Sequence, residues 1–172
     1  VGSGGVGIIR ISGDKAVQIA SRVFDSARGL SLNESVNNSF YYGFIYDDKG
    51  SKIDNGIALV MKNPRSYTGE DTVELQCHGS TVILKQVLSS ILNAGARLAE
   101  PGEFSKRAFL NGRMDLTQAE GLYDLIRAKS DQAAKAALEQ LDGALKNRFN
   151  NLYDKLLEVI ANLETTLDFV ED

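Results

Sequence analysis

The alternation of apolar and polar residues changes period once along this chain, near residue 100. Ahead of that point runs with a two-residue period predominate, which puts successive side chains on opposite faces of a strand. Val6–Ser12 (VGIIRIS) predicts a strand, followed by a helix from about Asp14 to Phe24. Phe40–Tyr46 and Ile53–Lys62 flank Asp47-Asp48-Lys49-Gly50-Ser51; Asp and Gly tolerate tight turns, so this stretch predicts a hairpin. Thr72–Cys77 alternates as a half-buried strand, with Val73, Leu75 and Cys77 inward and Thr72, Glu74 and Gln76 on the polar face. Ser80 is placed to cap a helix running to about Asn93, which Gly95 ends. Asn33–Ser39 reads as a polar loop and Arg97–Glu100 as one more short strand.

After Pro101 the period becomes helical. Phe104–Leu110 predicts a short helix that stops at Asn111-Gly112, and Thr117-x-x-Glu120 predicts a capping box for the next one. Leu138, Leu141, Leu145, Phe149, Leu152, Leu156, Val159, Leu163 and Leu167 recur at spacings of three and four. They predict one long amphipathic helix with a single apolar stripe. Thirty helical residues extend ~45 Å, more than a small domain covers, so this stripe calls for other helices. The expected class is α+β: a mixed domain over residues 1–112, then the start of an all-α helical segment over 113–172.

Composition narrows the setting. No apolar run approaches the ~18 residues of a membrane span, and no basic stretch leads into an apolar signal core. A soluble chain with no membrane partner is expected. A single cysteine, Cys77, excludes an internal disulfide and fits a reducing compartment, the cytoplasm or an organelle matrix. The net charge of −4 is unevenly spread. Residues 1–112 carry 12 basic against 11 acidic residues, and residues 113–172 carry 7 against 12. Nucleic-acid binding rests on phosphate neutralisation, so the helical part is a poor RNA surface.

Several residues could carry chemistry. Gly2-Ser3-Gly4-Gly5-Val6-Gly7 matches G-x-G-x-x-G, but that motif needs a strand before the glycines and a helix after them. Here a β run follows, so the expectation is either a flexible entry loop or glycines that let a ligand approach the backbone. The phosphate loop G-x-x-x-x-G-K-[ST] occurs nowhere. Cys77 and His78 are adjacent on a strand and should diverge, and one Cys with one His is too few for a zinc site. Arg10 and Glu74 are charged outliers on strand faces: either both are solvated, or they converge on a polar heterocycle. A carboxylate suits a pterin edge, where it accepts two N–H bonds, and an arginine suits ligand carboxylates. Lys106, Arg107 and Arg113 surround the Asn111-Gly112 turn, either as helix-end cations or as an anion trap. Glu100 and Glu103 bracket Pro101-Gly102 as an N-terminal helix arrangement without catalytic implication.

Three dense blocks, GGVGIIRISG, YTGEDTVELQCHG and PGEFSKRAFLNGRMDLTQAE, followed by the helical run through Asp168-Phe169-Val170-Glu171-Asp172, closely resemble the N-terminal region of the MnmE (TrmE) family of tRNA-modification GTPases. The resemblance implies a first domain folded like the tetrahydrofolate-binding domain of aminomethyltransferases, a homodimer, and a tetrahydrofolate derivative (5-formyl- or 5,10-methylene-) bound near the dimer interface. It implies a flavoprotein partner, GidA/MnmG, and a carboxymethylaminomethyl-type group installed on the wobble uridine of tRNA. The family's folate contacts fall on Arg10, Glu74 and Arg113, the last being arginine where the family usually has lysine. No residue is assigned to catalysis or to a metal. GTP, Mg and K belong to a GTPase domain outside these residues, so the chain alone is expected to be inactive. An N-terminal β segment, the second half of the helical domain and a C-terminal cysteine motif are likewise expected outside them. Cys77 is not that cysteine, and Val170 stands where the family usually has proline.

Overall fold

The computed structural model describes residues 4–36 and 38–168. Gly2 and Ser3 of the glycine loop, Asn37 of the polar loop and the closing Phe169–Asp172 lie outside them. The chain divides into two compact units, residues 1–113 and 114–172. Arg113 goes with the first unit because its backbone N–H donates to the Ala108 carbonyl at 2.8 Å.

The first unit is built on one antiparallel sheet of β1 (Val6–Ser12), β2 (Phe24–Ser26), β3 (Ser39–Tyr46), β4 (Lys52–Met61) and β5 (Thr72–His78), in the order β1-β5-β4-β3-β2. Three helices accompany it: α1 (Ala16–Ala20), α2 (Thr81–Asn93) and α3 (Glu103–Leu110). The β3–β4 hairpin turns where Asp and Gly allow it. Asp47 Oδ1 accepts from the backbone N–H of Lys49 and Ser51, and Gly50 takes φ +80°. One sheet face carries Ile11, Ile45, Ala58, Val60, Val73 and Leu75, which pack with α1 and with Val87 and Ile91 of α2 into the core. The alternation in β5 fixes the other face: Thr72, Glu74 and Gln76 lie on the side opposite α1 and α2.

Three expectations for this unit are corrected. The helix expected over Asp14–Phe24 is confined to α1, because Val23 and Phe24 are buried and Phe24 opens β2 opposite Ile45. The polar loop expected over Asn33–Ser39 begins inside a 3-10 turn, Leu32–Glu34, whose first residue Leu32 is buried in the core. Arg97–Glu100 is not a strand: no described strand lies beside it, and an extended segment without a partner forms no ladder.

The second unit contains α4 (Leu116–Arg127), α5 (Asp131–Leu141) and α6 (Ala144–Asp168). The capping box is present but shifted: Asp115 is the cap, accepting from Gln118 N–H, and Gln118 answers to Asp115 N–H. Gly121 lets α4 and α5 approach, since a Cβ there would sit 2.9 Å from Leu141 N. Gln118 and Gln140 reinforce that crossing by donating to the carbonyls of Leu141 and Thr117. The single long helix expected from the leucine spacing is two helices, α5 and α6, broken at Gly143 (φ +83°). Phe149, Leu152, Leu156, Val159 and Leu163 keep their spacing on α6 but are exposed. Among the described residues no helix is long and apolar enough to cross a membrane.

Candidate functional site

Strand pairing, not sequence proximity, assembles the site. The antiparallel register of β1 on β5 sets Arg10 opposite Glu74. Arg10 Nε donates to Glu74 Oε1 at 2.7 Å, and Nη2 makes an ion-pair contact with the same oxygen at 2.6 Å. Glu74 is only 9% exposed, yet its Oε2 has no hydrogen-bond partner among the described residues. Oε2 is not sealed in the interior, since Glu74 keeps some side-chain exposure, so it is an acceptor that an N–H donor entering from solvent can reach. Glu74 and Thr72 are buried on this face, whereas Arg10 is exposed.

The cover over this face comes from the Ser66–Glu70 loop and from α3. Tyr67 and Phe104 place their ring centroids 5.2 and 5.7 Å from Arg10 Cζ. Ser12 Oγ lies 2.6 Å from Thr68 Oγ1 and donates to Glu70 Oε2 at 3.0 Å. Glu70 also receives Arg107 Nη1 at 2.8 Å, and Arg107 Nη2 reaches Glu103 at 2.9 Å. Arg97 closes the series on Glu103 at 2.5 Å. Hydrogen bonds from Arg97, from the Glu100 backbone N–H and from Arg107 hold the Glu103 carboxyl well below the usual carboxylate range. Arg10, Phe104 and Arg107 also line a cleft of about 650 Å³ along β1, completed by Ile91 of α2 and the Gly95–Ala99 segment.

Of the three residues singled out from sequence, Arg10 and Glu74 are brought together and Arg113 is not joined to them. Arg113 Nε donates to the Ser66 carbonyl at 3.1 Å, and its Cγ lies 3.1 Å from the position a Cβ on Gly69 would take. It therefore anchors the loop that carries Tyr67. The basic set does not converge into an anion trap: Arg107 is engaged by two carboxylates and Lys106 is exposed. Sequence reasoning missed Tyr67, Glu70 and Phe104 as site neighbours. Their one sequence signal was membership of the blocks SYTGED and PGEFSKRAF.

At the far end of β5, Cys77 and His78 diverge as expected. Burial, and then the nearby Asp54 charge, push the Cys77 thiol up, which makes it a packed, unreactive group. His78 is exposed, and Asp54 accepts both its backbone N–H and its Nδ1 at 2.8 Å. Burial alone would raise the Asp54 carboxyl, but these bonds hold it below its ordinary value of 3.8. A depressed carboxylate contributes stability that is present above its unfolded-state value and is lost as pH falls through the folded-state one. Asp54→Asn should therefore cost about 1–3 kcal/mol at pH 7 and less at pH 2. Urea unfolding at both pH values checks this, and an equal cost at both would contradict it. Among the described residues no cluster of three His, Cys, Asp or Glu side chains could hold a metal ion.

Comparison with known proteins agrees with this architecture. The family model for the GTP-binding protein TrmE N-terminus matches residues 1–113, and that for the MnmE helical domain matches residues 116–172. The chain is 51% identical over 170 residues to the tRNA modification GTPase MnmE of Symbiobacterium thermophilum, covering 99% of this chain and 37% of that protein. It is 46% identical to the protein of that name from Clostridioides difficile and 47% to that from Acetivibrio thermocellus, each over 171 residues and with the same coverage. The chain thus spans 37% of the length of these relatives. Matching both family models in succession, it belongs to the MnmE (TrmE) family of tRNA-modification GTPases and comprises the N-terminal domain with a segment of the helical domain.

Proposed function

We propose that this chain is the folate-binding, homodimerising part of a GTPase that modifies the wobble uridine of tRNA with a carboxymethylaminomethyl-type group. The observation that carries the folate reading is Glu74, nine-tenths buried beside Arg10 with one carboxylate oxygen unpartnered. That donor set fits a reduced pterin, whose N–H groups suit Oε2, while Arg10 retains a guanidinium nitrogen, Nη1, without a described partner. Arg113 would add positive charge beside the loop for the ligand's carboxylates. A bound tetrahydrofolate, 5-formyl- or 5,10-methylene-, supplies a one-carbon unit. The chain's own residues bind and orient it, and none of them does the chemistry. GTP hydrolysis, with Mg and K, belongs to the remainder of the polypeptide, and redox chemistry to the flavoprotein partner GidA/MnmG in the cytoplasm.

A melting series with increasing 5-formyltetrahydrofolate tests this reading. A ligand that binds only the native state adds about 2.7 kcal/mol at a hundred times its Kd, so the midpoint should climb by several degrees. A flat midpoint in the wild type would refute it.

The homodimer is supported by the open sheet face. Phe40, Tyr42 and Ile57 are 74%, 53% and 38% exposed, and Tyr42 faces Ile57 across the β3–β4 ladder. In the β4–β5 register Ile57 pairs with Gln76 and Leu59 with Glu74, so this apolar surface runs up to the folate site. Phe40→Asp should weaken self-association at least tenfold if the ring is an interface anchor. Sedimentation equilibrium would show it, and an unchanged dimer constant would move the interface elsewhere.

A second reading, an assembly module without a working folate site, draws on the exposed stripe of α6 and on Arg113's engagement with Ser66. A tight dimer with no ligand-dependent shift in melting is its signature.

A further inference from the structure

We infer that Tyr67 and Phe104 are positioning residues, an aromatic brace that holds the Arg10 guanidinium against a single oxygen of Glu74. Arginine has a long, rotamer-rich side chain, and Arg10 is 37% exposed in its side chain. A lone arginine beside a carboxylate commonly settles into the bidentate fork that occupies both oxygens. Here Nε and Nη2 both land on Oε1, and the two rings lie within cation–π range of the guanidinium carbon. The rings are themselves fixed. Tyr67 Oη lies 3.0 Å from Ser105 Oγ, one residue beyond Phe104 on α3. The loop bearing Tyr67 is tied down by Asn111 Nδ2 on the Thr68 carbonyl at 2.8 Å and by Arg113 Nε on the Ser66 carbonyl. Helix α3 and the turn after it thus set the angle of Arg10, and Glu74 Oε2 remains open as a consequence. This deepens the folate reading and rests on it for its ligand, but the brace can be observed without one.

The test has two arms on the 172-residue chain. In the first, the Arg Nε–Hε signals are recorded by NMR. The brace predicts an Arg10 Hε displaced upfield by ring currents and slow to exchange with water. Phe104→Leu should remove the displacement and speed exchange several-fold, while Phe104→Tyr should restore both. Tyr67→Phe keeps the ring but frees it from Ser105, and should give an intermediate exchange rate even if the leucine variant folds poorly. In the second arm, Phe104→Leu should weaken 5-formyltetrahydrofolate binding roughly fivefold, with Phe104→Tyr close to wild type. An Arg10 signal unchanged by Phe104→Leu and Tyr67→Phe would overturn the brace. If the wild type binds no folate while the NMR signature responds as described, the brace stands and the ligand reading falls.

Discussion

Replacing Glu74 by glutamine is expected to weaken 5-formyltetrahydrofolate binding roughly 10- to 150-fold, the equivalent of about 1.5–3 kcal/mol for one hydrogen bond to a charged group. Glutamine keeps the shape and one acceptor oxygen, so the change isolates charge from packing. Its effect on folding should be small, below about 1 kcal/mol, because Arg10 is partly exposed and such pairs are screened. Calorimetric titration and urea unfolding of the same sample separate the two effects. The sign is also informative. If the ligand were held only through its own carboxylates, removing Glu74 would free Arg10 and binding would tighten. Unchanged or tighter binding would therefore remove Glu74 from the site.

The largest effect on stability is expected from Gly56→Ala. A Cβ at Gly56 would stand 2.0 Å from the Gln76 carbonyl oxygen and 3.1 Å from its carbon. Both are backbone atoms of β5, the strand that pairs with β4 from Ile57 to Met61 and with β1 on its other side. No side chain can swing away, so relief requires β4 and β5, both interior strands, to part at the Ile57–Gln76 end of their ladder. We expect a loss at the upper end of the ~1–3 kcal/mol that overpacking costs, a large fraction of the ~5–15 kcal/mol that holds a domain folded. The urea midpoint would fall accordingly, and folate affinity would fall with it because Gln76 lies two residues from Glu74. A change within about 0.5 kcal/mol would mean that the β4–β5 approach is looser than described.

The existence of β1, β3, β4 and β5 was legible in the sequence because period-two alternation is a local signal. The three-residue β2 is too short to alternate, and its first residue read as helix. VGIIRIS matched β1 end to end, and TVELQC matched β5 but for its last residue, His78. What alternation cannot specify is which strands become neighbours. Arg10 and Glu74 stood out as charged residues on their strands, but their contact spans 64 positions and depends on the β1–β5 register. The cover over them was illegible for the same reason, since Tyr67 and Phe104 meet Arg10 only once the loop and α3 fold over the sheet. The helical errors have a different origin. The leucine spacing continues across Gly143, so the stripe reads as one helix although the backbone turns there with positive φ. Asp115 and Thr117 are both competent caps, and their order of preference depends on Asp115 Oδ1 receiving the Thr117 hydroxyl as well as Gln118 N–H. Arg97–Glu100 has strand composition, but a strand is a property of a pair.

The most direct test of the central claim is a calorimetric titration of 5-formyltetrahydrofolate into the 172-residue chain, with its oligomeric state measured by sedimentation in the same buffer. Saturable binding to a dimer, lost in Arg10→Ala and Glu74→Gln, is the predicted result. A folded dimer that binds no folate would contradict it and leave this region of the family as an assembly module.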